Sequence, residues 1–130
     1  VRSKADMLAN LHSKAASVVD ARGAGRFTGE EAEPRPEMAS GHIPGSRNLP
    51  FGQLFNADGT WKRGDELSQA YADAGVDLSK PMITTCGSGM TAAVVLFGAR
   101  MTGKTDVSLY DGSWSEWGLD KDTPKAQGAA

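Results

Sequence analysis

Met82-Ile83-Thr84-Thr85-Cys86-Gly87-Ser88-Gly89-Met90-Thr91 is the stretch on which the fold turns. Its first four residues are β-rich and read as a strand that ends directly at Cys86. The residues from Thr91 to Met101 are apolar almost all round, which predicts a buried helix with Leu96, Phe97 and Met101 in the core. The same alternation continues outward. Towards the N-terminus, Ala5, Leu8, Ala9 and Leu11 have helical spacing, Ser17-Val18-Val19-Asp20 reads as a short buried strand, and Arg47-Asn48-Leu49 reads as a second one. Asp65 to Ala74 is a helical pattern with Leu67, Ala70, Tyr71 and Ala74 on one side and Gly75 as its cap. Towards the C-terminus come a strand at Val107-Ser108-Leu109-Tyr110 and a helical turn from Ser113 to Trp117, with Trp114 and Trp117 read as core. The polar tail from Asp120 is expected to fray. Strands alternating with helices predict an α/β domain with a mostly parallel central sheet.

Composition narrows the function. The chain has 130 residues, one domain's worth, with 39% hydrophobic and 23% charged residues, enough to bury a core without staples. Cys86 is the only cysteine, so neither an internal disulfide nor a four-cysteine zinc site is available. His12 and His42 are the only histidines and give a metal site little to build on. Fourteen basic residues against sixteen acidic ones, a net charge of −2, leave no electrostatic footprint for nucleic acid or an anionic membrane. No apolar run approaches the roughly 18–20 residues of a membrane span. The chain opens on Val1, not methionine, and has no signal-peptide pattern, so it is read as a processed chain or a fragment whose true N-terminus is not visible. A cytoplasmic location is expected, with a mitochondrial one as the alternative.

Cys86 carries the strongest chemical signal. It falls at the carboxyl end of a strand, where open α/β sheets keep their sites. Gly87 and Gly89 allow positive φ and close approach, a tight loop of this kind points consecutive N–H groups at one centre, and the helix that follows adds its N-terminal partial charge. All of these favour thiolate over thiol and make Cys86 a nucleophile. A free cysteine more commonly packs as a small hydrophobe, but the strand–Cys–Gly-x-Gly–helix context outweighs that alternative. A cysteine phosphatase needs an arginine at the far end of the loop, whereas Met90, Thr91, Ala92 and Ala93 follow here. A thioredoxin-like redox site needs a second cysteine. Sulfur transfer through a persulfide needs one cysteine only.

Residues 22–45 are crowded with glycine and proline and hold three arginines, Arg22, Arg26 and Arg35. A stretch of this kind is either a linker or a functional loop. Arg22, two residues from Asp20, is read as an ion pair holding that loop. Gly98-Ala99-Arg100-Met101-Thr102-Gly103-Lys104-Thr105 fits the phosphate-binding pattern G-x-x-x-x-G-K-[ST]. It follows a helix and precedes a strand, the reverse of what phosphate binding needs. Gly103 is therefore read as a helix cap and Lys104 as a charge near the negative end of the helix dipole. His12 lies on a surface helix and is not read as catalytic; His42 precedes Ile43-Pro44-Gly45 and is a candidate general base.

The loop Cys86-Gly87-Ser88-Gly89-Met90-Thr91 closely resembles the active-site loop of the 3-mercaptopyruvate sulfurtransferases of the rhodanese superfamily. Val18-Val19-Asp20-Ala21-Arg22, Gly25-Arg26-Phe27-Thr28-Gly29, Glu33-Pro34-Arg35, Gly41-His42-Ile43-Pro44-Gly45-Ser46, Asn48-Leu49-Pro50-Phe51 and Tyr110-Asp111-Gly112-Ser113-Trp114-Ser115-Glu116-Trp117 are similar to that family in order and spacing, over roughly residues 5–120. The resemblance implies a rhodanese-like domain, a mostly parallel sheet with helices on both faces, and the C-terminal half of a tandem protein with an N-terminal companion rhodanese domain. It implies catalytic roles for Cys86, the persulfide-forming nucleophile, and Ser88, a proton-handling serine. Arg26 and Arg35 are matched to arginines that bind the carboxylate and keto group of mercaptopyruvate, in keeping with the fit of an arginine fork to a carboxylate. Gly87, Gly89, Met90 and Thr91 complete the substrate-binding set. Thiosulfate-preferring relatives place basic residues just after the cysteine, where Gly87 and Ser88 stand here, so 3-mercaptopyruvate is the expected donor. Cyanide or a thiol such as thioredoxin or a small thiol is the expected acceptor, and no cofactor, nucleic acid or membrane is expected to take part. The alternatives are a persulfide carrier or protein-interaction module without efficient turnover, or a thiosulfate-preferring enzyme.

Overall fold

The computed structural model describes residues 1–31, 33, 37–87 and 90–128, with Met90 described by its backbone alone. Four parallel strands, β1 (Ser17–Asp20), β2 (Arg47–Asn48), β3 (Met82–Thr85) and β4 (Val107–Leu109), form one sheet in the order β2-β1-β3-β4. Alternation along the central strands sends side chains to opposite faces. Val19 and Met82 join a cluster with Leu67, Ala70 and Tyr71 of α3 (Gly64–Asp73) and Ala92, Val95 and Ala99 of α4 (Met90–Met101). Val18 and Ile83 join the other cluster, with Met7 of α1 (Lys4–Ser13) and Trp114 and Trp117 of α5 (Ser113–Trp117). Helices therefore cover both faces, as a parallel sheet requires. Trp114 and Trp117 are core, and each indole N–H still finds a carbonyl, Ala39 O and Pro124 O respectively, at 2.8 Å.

The helical spacing of Ala5, Leu8, Ala9 and Leu11 is met by α1, which buries Met7, while Ala5, Leu8 and Ala9 face outward and Leu11 is half-buried. The Ser3–Asp6 capping box starts this helix, and its buried face follows from which side meets the sheet. Three expectations are corrected. First, α4 is not buried all round: Phe97 is 55% exposed and Met101 42%, while Leu96 is half-buried, because only the Ala92–Val95–Ala99 side packs on the sheet. Second, the glycine-rich stretch contains a short helix, α2 (Ala24–Thr28), ended by Gly29 at φ +88. Third, the tail is held. The Thr123 hydroxyl donates to Trp117 O, Lys125 reaches Asp120 O, and Ala126 pairs antiparallel with His42.

The phosphate-loop look-alike resolves as read from its order. Gly98 lies inside α4, where a missing Cβ lets the Tyr71 hydroxyl come close enough to donate to Val95 O at 2.6 Å. Burial pushes the Tyr71 phenol well above its ordinary pKa. Gly103 (φ +97) ends the helix, and Lys104 donates to Leu78 O and pairs with Asp106.

Candidate active site at the carboxyl ends of β1 and β3

The chain leaves β1 towards β2 on one side and β3 towards β4 on the other, so the order of connections reverses between the two central strands. The carboxyl ends on either side of such a reversal diverge and leave a crevice, where α/β sheets bind ligands. Cys86 follows β3 directly, and Asp20, Arg22 and α2 follow β1. The carboxyl ends of β1 and β3 thus carry the residues singled out in the sequence.

On the β1 side, Arg22 is buried with Asp20, its Nε at 3.1 Å from both carboxylate oxygens and its Nη2 at 2.8 Å from Oδ2. Arg22 also pairs with Glu33 at 3.3 Å, donates to Gly41 O at 2.6 Å and lies 4.6 Å from the centre of the Trp114 ring. The ion-pair reading of Arg22 holds. Breaking a buried pair of this kind costs about 3–5 kcal/mol because the other charge is left uncompensated. Asn48 fastens the same turn by donating to Asp20 O and Arg22 O.

Cys86 is 1% exposed at the head of the loop. Its N–H donates to Ser113 Oγ at 3.1 Å, and its carbonyl accepts from the Trp114 N–H at 2.8 Å. The Ser115 N–H donates to Gly87 O at 2.8 Å. The start of α5 thus grips the backbone of both residues. The Ser113 hydroxyl has one proton. Tyr110 O at 2.9 Å is the nearer acceptor, and the Cys86 sulfur lies 4.0 Å away. Ser113 itself sits at φ 52, an uncommon backbone position for a residue with a side chain.

Gly87 departs from the expected positive φ. What it supplies is nearness: a Cβ there would lie 4.0 Å from Arg26 Nη1 and 4.0 Å from Arg22 Cδ. The structure therefore brings half-buried Arg26 beside the Cys86 loop. Thr91 is half-buried in the first turn of α4. Arg35, Ser88 and Gly89 lie outside the described residues, as does the side chain of Met90, and the nest expected of the loop falls there too. Sequence reading passed over Ser113 as a site residue. The signal was its place just past β4, whose carboxyl end neighbours that of β3 in a parallel sheet.

The rhodanese-like domain profile matches residues 3–120. The chain belongs to the rhodanese family. Over 117 residues this rhodanese domain is 48% identical to the 3-mercaptopyruvate sulfurtransferase of Rattus norvegicus, covering 90% of the chain and 39% of that protein. It is 47% identical over 112 residues to the thiosulfate sulfurtransferase of Cricetulus griseus, covering 85% of the chain and 38% of that protein. The domain thus spans about two fifths of the length of these relatives. Among solved structures, Tum1 of Saccharomyces cerevisiae superposes with a TM-score of 0.87 at 35% identity, over 100% of this chain and 47% of that one. A persulfide form of EanB with ergothioneine superposes with a TM-score of 0.86 at 26% identity, over 99% of this chain and 32% of that one. Among the described residues no group of three or more His, Cys, Asp or Glu side chains is placed to hold a metal ion, and no helix is long and apolar enough to cross a membrane.

Proposed function

We propose that this domain moves sulfur from 3-mercaptopyruvate to a thiol or cyanide through a persulfide on Cys86. The observation that carries the reading is a cysteine at the carboxyl end of β3, where the connections reverse, with the Arg26 guanidinium beside the next residue of its loop. The 3-mercaptopyruvate sulfurtransferase relatives supply the reaction class, and EanB, a structural neighbour over about a third of its own length, carries a persulfide on a cysteine. Arg26, with Arg35, binds the carboxylate and keto oxygen of the donor. The Cys86 thiolate attacks the donor sulfur, a sulfur–sulfur bond forms and the donor's carbon–sulfur bond breaks. The electron pair of that bond stays on carbon, which takes up a proton, assisted by Ser88, to give pyruvate. In the second half the acceptor attacks the outer sulfur, and the Cys86 thiolate leaves. No cofactor enters either step. Gly87, Gly89, Met90 and Thr91 complete the donor-binding set.

The acceptor is a small thiol or a thioredoxin-like protein thiol, and the reaction takes place in the cytoplasm. The relatives are more than twice as long as this chain, and the domain works beside a companion rhodanese domain. A thiosulfate donor is the second reading, favoured by the thiosulfate sulfurtransferase relative. The Gly87-Ser88 pair carries no charge of its own, where thiosulfate-preferring relatives place basic residues, and this favours mercaptopyruvate.

The test is intact mass after exposure to mercaptopyruvate or thiosulfate, together with pyruvate release. One added sulfur atom on Cys86 and repeated pyruvate release with a thiol acceptor are expected. Loading without turnover would leave a carrier, and loading from thiosulfate alone would transfer the assignment to the second reading.

A further inference from the structure

The C-terminal residues 126–128 lie against the helix that carries Arg26, and the contacts are specific. The His42 N–H donates to Ala126 O at 2.8 Å and the Ala126 N–H to His42 O at 2.9 Å, a closed antiparallel pair. The Gly128 N–H donates to Thr28 O at 2.7 Å. The Gln127 side chain covers Gly29, where a Cβ would come within 3.1 Å of it. A Cβ on Gly41 (φ +117) would collide with the Ala126 carbonyl. The chain therefore has glycine at two positions where the tail passes closest.

His42 passes this contact inward. Its ring is 2% exposed, stacks on Phe27 at 3.8 Å and 6°, and brings Nδ1 to 2.7 Å from Phe27 O. A carbonyl only accepts, so Nδ1 carries the proton. A helix of five residues cannot hold itself together, and its last carbonyls need donors from elsewhere. In α2, His42 supplies the donor for Phe27 O and Gly128 the donor for Thr28 O. Both acceptors lie within two residues of Arg26.

We infer that residues 126–128 form a strap which, with His42, caps α2 and holds Arg26 over the Cys86 loop, making Ala126, Gly128 and His42 positioning residues for substrate binding. The inference rests on the reading of Arg26 as a donor-binding residue. Its chemical content is selective. The strap touches the arm that reads the donor's carboxylate and leaves the β3–α5 grip on Cys86 untouched. Its loss raises KM for a 2-keto acid donor and spares sulfur loading from a donor without a carboxylate.

The experiment uses Ala126→Pro, which removes the N–H donated to His42, beside Ala126→Ser, which keeps it, and a chain lacking residues 126–130. Amide exchange at Phe27 and Gly29, whose N–H groups close α2 on Gly23 O and Arg26 O, is read beside donor kinetics. In Ala126→Pro and the shortened chain, exchange at both amides should quicken about tenfold, the scale of losing a net hydrogen bond or two. KM for mercaptopyruvate should rise by a similar factor, with kcat within about twofold and loading from inorganic polysulfide unchanged. Ala126→Ser should behave as the parent chain. Unchanged exchange in α2, or polysulfide loading that falls in step with mercaptopyruvate turnover, overturns the strap. If the parent chain releases no pyruvate, the donor reading fails on its own, and the exchange arm still decides whether the strap holds α2.

Discussion

Helix α4 has a glycine-bearing loop at each end, and the two have opposite fates. Before it runs Cys86-Gly87-Ser88-Gly89; around its C-terminus runs Gly98 to Thr105, which fits a phosphate-binding pattern more literally than the first loop fits any general one. Of the first, Cys86 and Gly87 lie at the carboxyl end of β3, ahead of the positive end of the helix dipole, with Arg26 beside Gly87. The second meets the negative end, and its Lys104 is already occupied by Leu78 O and Asp106. Glycines and a charged residue do not make a site by themselves. The direction of the helix and the charges left uncommitted decide it.

The largest effect expected from challenging this contrast is at Cys86. Cys86→Ser should reduce sulfur loading, read by intact mass, to background while the far-UV circular dichroism stays that of the parent. Continued transfer by the serine variant would end the persulfide mechanism. Next is Arg26. Losing one charged partner from a partly desolvated site costs about 2–5 kcal/mol, so Arg26→Ala should lower kcat/KM for mercaptopyruvate roughly 30-fold or more. Polysulfide loading should fall much less. Equal losses with both donors would make Arg26 a support of the loop and not a reader of the substrate.

Smaller effects separate grip from chemistry. Ser113→Ala leaves the buried Cys86 N–H without its hydroxyl acceptor, and denaturant unfolding should show a loss of about 1–3 kcal/mol. At the other end of α4, Lys104→Met should cost about 1 kcal/mol. It should leave sulfur loading unchanged, and ATP should shift the melting temperature of neither form. An ATP-dependent shift in the parent that Lys104→Met removes would restore the phosphate reading. The smallest effect is a pH dependence. The hydrogen bond from Lys104 holds the Asp106 carboxyl below its ordinary 3.8. A carboxyl depressed in the folded state contributes stability above its unfolded pKa and loses it as pH falls through the folded one. Between about pH 6 and about pH 3 the parent's melting temperature should therefore drop slightly more than that of Asp106→Asn. An equal drop would show that the exposed pair contributes nothing.

Much of this was legible in the chain. β1, β3 and β4 were visible because short β-rich runs between turn residues have few other uses; β2, Arg47–Asn48, was read without that signal. The Asp20–Arg22 pair was legible because two residues leaving one strand end are neighbours in any fold. The misreadings share a cause. Phe97 and Met101 are as apolar as Val95 and Ala99, yet only the latter two meet the sheet. Leu8 looks like a better core residue than Met7, but Met7 faces Val18 and Ile83. Apolar pattern gives the capacity to be buried, and the partner surface decides which side is. The tail looked free because its polar side chains carry no signal, while its hold on the domain runs largely through backbone groups and the Thr123 hydroxyl.

The sequence alone determined the class of the domain, the strand that ends at Cys86 and the candidacy of that thiol, because these depend on local propensity and on chemistry that one residue carries. Tertiary structure alone decided what stands around the thiol. It brought Ser113, 27 positions along the chain, onto the Cys86 N–H, placed Arg26 against Gly87, and folded residues 126–128 back onto Thr28 and His42. The physical reason is the parallel sheet. Each crossover returns the chain to the same edge, so carboxyl ends far apart in sequence open onto one crevice. The contacts made there depend on strand order, which no local pattern encodes.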